Sequence, residues 1–581
     1  GSNLLSLGTN LKYYIQAGNG GVFYDVTPIR LTTAAGAVTF TATNGSSTVK
    51  VTCNTNGSVA GDFVTFSGAA SLGGNITAAV LNKEYQVISI IDANNFNIQV
   101  SVTANASDTG TGGAATVGAF QINSGAAING AAYGWSAGAW GGLNPPNPST
   151  GWGQSVGYST LRLWSESNFG ENLIFCPRGG AMNFWAVNPN PALYDRGQII
   201  VAGGTITQKN YATGSGTVSV SIDATCPSQV NIVMVSDSTR FTIAFGSNDP
   251  TGLVSTLTID PLMVRWSDQE SYSVWTPAVT NQAGSYRLSQ GSQIISAIQT
   301  RQEILIWTDV AVYSMQFIGA PYVWSFQLMG ANISIVSQNS VATANNMTYW
   351  MGIDKFYVYS GRVETLPCTL RNHVFNDINF DQADQIVCGT NEGWNEVWWM
   401  YPSASSQVND SYVIYNHLER IWYYGTLERS AWLDSPLREY PQAVYTDNAT
   451  QIGYLMDHER GTNNDTAAMT AYIQSSDFDI AEGDQFMLTR RIIPDINFSG
   501  STATSPEASF IIRPRNFPGS AYQNNASNTQ RVIETTVDQF TDQVFVRARA
   551  RQLALKVQST GLDTQWQLGS PRLDGRPDGR R

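Results

Sequence analysis

Ile304-Leu305-Ile306-Trp307-Thr308-Asp309-Val310-Ala311-Val312-Tyr313-Ser314-Met315-Gln316-Phe317 reads as an apolar strand, a turn at Thr308-Asp309, and an aromatic-rich strand running back. β-branched and aromatic residues fit a pleated, packed surface, and a short polar break between two such runs predicts a hairpin. The same block recurs on both sides. Leu173-Ile174-Phe175 turns at Arg178-Gly179-Gly180 and returns as Met182–Trp185; Ile232–Val235 returns as Phe241–Phe245; Met263–Trp266 turns at Ser267-Asp268 and returns as Tyr272–Trp275. Downstream, Tyr349–Met351 pairs with Phe356–Tyr359, Val397–Met400 leads to Tyr412–Tyr415 and Trp422–Tyr424, and Ala443–Tyr445 returns as Ile452–Leu455. Units that begin roughly 30 to 60 residues apart fit the blades of a β-propeller, in which four-stranded sheets stack around an axis. A pair of β-sandwiches gives similar strand spacing, and no Trp-Asp or kelch signature decides between the two.

Composition agrees with strands. Charged residues make up 13% of the 581-residue chain, against roughly 25% in ordinary globular domains. Solubility then rests on Ser, Thr, Asn, Gln and Gly, which favour strands and turns over helices. The length predicts several domains. A net charge of -12 argues against a general nucleic-acid binder, which needs a basic face. The five cysteines are odd in number and far apart. They predict buried thiols, with no disulfide framework or zinc site. Stable membrane insertion is not expected, because no apolar run reaches ~18 residues. Gly1-Ser2-Asn3 lacks the basic and apolar regions of a secretory signal.

Two flanking regions read differently. In residues 31–125, Val38–Thr43 and Ser47–Thr52 alternate around Asn44-Gly45, and Tyr85–Ile90 meets Phe96–Val100 across a polar turn. Asn-Gly between alternating strands is a strong hairpin signal. This region predicts a small β domain inserted after an N-terminal platform segment, 1–30. Beyond a propeller-like domain at 126–465, the longer strands of 466–568 predict a β-sandwich or platform domain. Residues 569–581, rich in Pro and Gly, read as an extended tail. The overall expectation is an all-β chain.

Few motifs carry chemistry. Gly134-Trp135-Ser136-Ala137-Gly138 matches a nucleophile elbow but lacks the preceding strand and following helix that strain the serine. His373, His417 and His458 show no metal-ligand spacing. Asp477, Asp479, Glu482 and Asp484 could hold calcium, but they match no EF-hand and fit a solvated edge better. No catalytic residue, metal or cofactor is expected. Arg547, Arg549 and Arg551 repeat at period two, which puts them on one strand face. They fit a DNA-facing stripe, salt bridges to acidic neighbours, or a subunit or platform interface; the interface is favoured, since Arg is enriched there.

Several stretches resemble the tail-nozzle family of short-tailed bacteriophages, also called tail tubular protein B or tail hub proteins. They are Gly20–Arg30, Val59-Ala60-Gly61-Asp62-Phe63-Val64, Phe169–Ile174 with Arg178-Gly179-Gly180, Tyr349–Gly352 with Phe356–Gly361, and Pro577–Arg581. Their order is more telling than any one of them. The resemblance implies a non-enzymatic virion protein made in the host cytoplasm. It implies a homo-hexameric ring below the portal-adaptor ring, tail fibres or spikes attached outside, and transient passage of double-stranded DNA. The rival expectations are a tail-associated polysaccharide depolymerase and a glycan-binding adhesion module.

Overall fold

The computed structural model describes residues 3–18, 20–130, 160–188, 190–191, 194–209, 217–249, 258–447, 449–450, 452–520, 522 and 532–580. Among the described residues strands take 48% and helices 4%, so the fold is all-β. The chain divides into two units, Gly1–His458 and Glu459–Arg581.

The first unit is built on a β-propeller. Five consecutive four-stranded antiparallel sheets form its blades. Blade I comprises Trp164–Phe169, Asn172–Pro177, Asn183–Trp185 and Gln198–Ile199. Blade II comprises Val230–Val235, Thr242–Ser247, Asp260–Trp266 and Gly284–Arg287. Blade III comprises Ile294–Gln299, Ile304–Thr308, Ala311–Gly319 and Val323–Ala331. Blade IV comprises Val341–Ala344, Met347–Met351, Phe356–Tyr359 and Val363–Leu366. Blade V comprises Val387–Asn391, Glu396–Tyr401, Ser411–Asn416 and Ile421–Thr426. A three-stranded sheet, VI, follows with Ala431–Leu433, Gln442–Asp447 and Ile452–Asp457.

Each sheet joins the next through aromatic packing. Trp307 of blade III meets Trp350 of blade IV with ring centres 5.2 Å apart. Phe356 of blade IV lies 4.9 Å from Trp399 of blade V. Trp398 of blade V stacks on Trp432 of sheet VI at 5.0 Å and 14°. Only glycine fits at position 389 beside that stack, because a Cβ there would lie 2.1 Å from the Trp432 ring.

The N-terminal segment, expected as a platform, joins this circle instead. Leu4–Gly8, Tyr13–Ala17 and Phe23–Asp25 form a three-stranded sheet. On one side Tyr13 stacks on Phe175 of blade I at 4.2 Å. On the other, Asn3 donates to the Leu437 carbonyl and Arg438 donates to Gln16 Oε1 at 3.3 Å, both beside sheet VI. The first strands of the chain therefore close the ring against sheet VI.

One local reading needs correction. The sequence pattern predicts Tyr272–Trp275 as the strand returning from Met263–Trp266, but it is not a strand; Gly284–Arg287 takes that place. Its aromatic side chains are drawn inward instead. Trp275 is fully buried in the core between blades I and II, and its indole N–H donates to the Tyr272 carbonyl at 2.9 Å. The Asp223 carboxylate accepts the Trp275 and Thr276 amides. A strand ladder is thus not needed to satisfy this backbone.

The inserted region is one curled seven-stranded sheet, in the order Ile29–Thr32, Val117–Gln121, Phe63–Ser67, Glu84–Asp92, Asn95–Gln99, Thr48–Cys53 and Val38–Ala42. Both predicted hairpins are present, and Gly45 has the positive φ, +79°, that its turn requires. The concave side holds its own core around Phe40, Phe66, Phe96 and Phe120. Contact with the ring runs largely through charge: Glu84 meets Lys12 and Arg196, which also pair with Asp25. Gln121 lies opposite Ile29 where the insert begins and ends. Replacing residues 31–120 by a short glycine linker is expected to leave a soluble ring with an unchanged thermal unfolding midpoint. Aggregation of the shortened protein would show that the insert belongs to the ring core.

The second unit is a β-sandwich. One sheet contains Ala471–Gln474, Gln552–Ser559, Glu507–Arg515 and Ile533–Asp538; the other contains Val544–Ala550, Met487–Ile493 and Arg572–Pro577. Phe510, Ile512, Val537, Ala548 and Leu553 fill the space between. The tail reading of 569–581 is therefore corrected in part. Arg572–Pro577 is a strand paired to Met487–Ile493, and its Gly575 sits on the inner face, where a Cβ would lie 3.0 Å from Met487 Sδ. Glycine there leaves room for the core, and Pro577 ends the strand at a sheet edge, where a missing N–H is tolerated.

Candidate functional site

The strand Val544–Ala550 alternates as its sequence predicts. Ala548 and Ala550 are buried, while Phe545 and Arg547 are exposed. Arg549 shares the outer face. Register extends this face across the sheet, because directly paired residues project to the same side. Arg549 lies opposite Leu488, which lies opposite Arg576; Phe545 lies opposite Arg491, which lies opposite Asp574; Ile493 lies opposite Arg572. A bulge between Thr489 and Arg491 places Arg490 on the surface as well.

The three arginines singled out from the sequence have different surroundings. Arg549 pairs with the Asp578 carboxylate, donates to the Asp578 carbonyl, and lies 4.1 Å from the Phe486 ring centre. Arg551 donates to the carbonyls of Gly483, Asp484 and Arg580 and also covers Phe486. These two fasten the C-terminal strand. Arg547 projects from the face. Sequence reasoning missed Arg490, Arg572 and Arg576, which are exposed beside it; they come from two other strands, and only the register brings them together. Arg491 is 3.8 Å from Asp574.

Charge is distributed unevenly between the units. Residues 1–458 hold 18 Lys+Arg and 30 Asp+Glu, and residues 459–581 hold 14 of each. The whole net charge of -12 thus belongs to the propeller unit. The neutral sandwich gathers six arginines on one sheet face.

Other sequence candidates do not converge. Asp477 pairs with Arg515, Asp479 accepts from Gln552, and Asp484 pairs with Arg580, so three of the four clustered acids have separate partners. Among the described residues no group of three or more His, Cys, Asp and Glu is placed to hold a metal. The five cysteines are free, four of them buried. The Gly134–Gly138 motif with Ser136 lies outside the described residues. His373 packs on Tyr424, His417 on Tyr349 and His458 on Trp432. The Arg429 guanidinium donates to His458 Nε2 at 2.9 Å. Burial and the Arg429 charge together push the His458 imidazole down to about 4. Among the described residues no helix is long and apolar enough to cross a membrane.

A second arrangement links distant blades. Arg178, at the end of a blade I strand, meets both Asp384 oxygens just before blade V, at 3.2 and 3.0 Å. Asn129 and Gln382 exchange backbone and side-chain hydrogen bonds. Gln338, before blade IV, donates to the Trp164 carbonyl of blade I at 3.3 Å. Blades I and V are not neighbours in the circle, so these bonds link sheets that do not pack on each other.

No family model and no curated protein matches the chain. Solved structures are similar to the chain at very low identity. Hsv2 of Kluyveromyces lactis is 10% identical, with 58% of this chain covering 93% of that one at a TM-score of 0.28. The endosialidase of phage phi92 is 9% identical, with 80% covering 64% at a TM-score of 0.18. AztD of Citrobacter koseri is 6% identical, with 79% covering 92% at a TM-score of 0.32.

Proposed function

We propose that this chain is a structural, non-enzymatic component of a short-tailed phage tail, of the nozzle kind. In that role it works as a ring of copies below the portal-adaptor ring, carries fibres or spikes, and lets double-stranded DNA leave through the lumen. The observation that carries the reading is the succession of parts: a ring-closing N-terminal sheet, an inserted β domain, a propeller and a C-terminal sandwich. It runs in the same order as the stretches that resemble the nozzle family. The links between blade I and the segment before blade V would narrow any passage through the propeller itself. Duplex DNA would pass between copies, along surfaces of a unit with a net charge of -12. Like charge keeps a polyanion from sticking, whereas a basic lumen would hold it.

Electron microscopy of the purified protein and of the particle tests this. A ring of copies around a hole wide enough for duplex DNA is the expected result. A trimeric spike that releases sugars from host polysaccharide would replace this reading with the depolymerase.

A further inference from the structure

We propose that the arginine face of the C-terminal sandwich docks on the acidic propeller unit of a second copy of this chain. The proposal rests on the reading of the protein as a ring of copies and goes beyond it by naming the surface and its mate. Arg490, Arg547, Arg572 and Arg576 are exposed on one sheet face, and none of the four has a carboxylate within ion-pair distance among the described residues. Four like charges on one small sheet repel each other in the free chain, and an acidic surface relieves that repulsion. The chain itself offers the opposite charge, since the propeller unit has 12 more acidic than basic residues.

The composition of the face favours a protein over a nucleic acid. Phe545 is 76% exposed among the arginines, and Phe540, in the turn leading to that strand, is 80% exposed. Arg and aromatic residues are enriched in protein interfaces while Lys is depleted. The only lysine of the sandwich, Lys556, is on the other sheet, over Tyr472. Three strands of this length present a patch on the order of 300 Å², below the ~800 Å² per partner of a standard interface. Such a contact is weak and salt-sensitive singly, and repetition around a closed ring strengthens it.

The test compares self-association of the full chain with that of Arg547→Glu/Arg576→Glu and Arg547→Lys/Arg576→Lys, by sedimentation over a range of salt. Both sites are exposed, and circular dichroism with thermal unfolding checks that each variant is folded. The wild type is expected to associate at low salt and to come apart toward about 1 M salt, where the screening length is ~3 Å. The Glu variant is expected to associate about tenfold more weakly, consistent with the loss and reversal of a few exposed ion pairs. The Lys variant should fall between the two. If the Glu variant associates like the wild type, the face is wrong while the assembly reading stands. If the wild type stays monomeric at every salt concentration, the assembly reading fails too. If the wild type binds duplex DNA and the Glu variant loses only that, the face serves a polyanion and the proposal is overturned.

Discussion

Trp399→Ala lowers the stability of the propeller unit by about 4 kcal/mol, as large-to-small changes at buried tryptophans do. Trp399 is fully buried, and its indole N–H donates to the Ser340 carbonyl at 3.0 Å. Its ring packs against Phe356 and Trp422. Removing it opens a cavity between blades IV and V, while the Ser340 carbonyl keeps the Met351 amide as a donor at 3.2 Å, so the loss is mainly one of packing. The urea midpoint of tryptophan fluorescence reads the loss. Trp399→Phe should recover part of it, since the volume is largely restored but the donor is not. A shift of less than about 1 kcal/mol for Ala would show that the aromatic contact between these blades does not hold the circle together.

The second large effect depends on pH. His458 is held neutral in the folded chain at about 4, against an ordinary value of 6.5. The unfolded chain therefore binds a proton at this site between pH 6.5 and 4 while the folded chain does not. Stability rises with pH wherever the unfolded state binds more protons. The contribution is full above pH 6.5 and is lost progressively down to pH 4, by up to about 3 kcal/mol. His458→Gln should flatten unfolding stability across that window, because glutamine cannot take up the proton. A wild-type profile as flat as the variant's would refute the assignment. The carboxylates held below their ordinary value, such as Asp25 and Asp223, lose their contribution only below the lower edge of the window.

The blades were legible because their signal is local. Ile304–Phe317 carries two strands and their turn within fourteen residues, and β-branched and aromatic residues suit a buried sheet wherever they fall. Tyr272–Trp275 shows the limit of that signal. Its apolar pattern marks burial correctly, but burial in a hydrogen-bonded coil looks the same as burial in a strand. The closing sheet was illegible for another reason: Leu4–Gly8 and Tyr13–Ala17 are short, and what defines them is Phe175 and sheet VI, far along the chain. The arginine face was half visible. Period two puts Arg547 and Arg549 on one side of a strand, whereas Arg490, Arg572 and Arg576 reach them through a bulge and a register set by tertiary pairing.

Ring closure also has a history in time. Gln16 and Arg438, which meet across the seam, are 422 residues apart. At a synthesis rate of ~5–20 residues per second, roughly 20 to 85 s separate the two on the ribosome. Through that interval Tyr13 and Ile15 have blade I to lean on but no sheet VI, and the seam edge stays open to the wrong strand. A nascent chain in a crowded cell therefore depends on the last blade arriving before a neighbour's edge does.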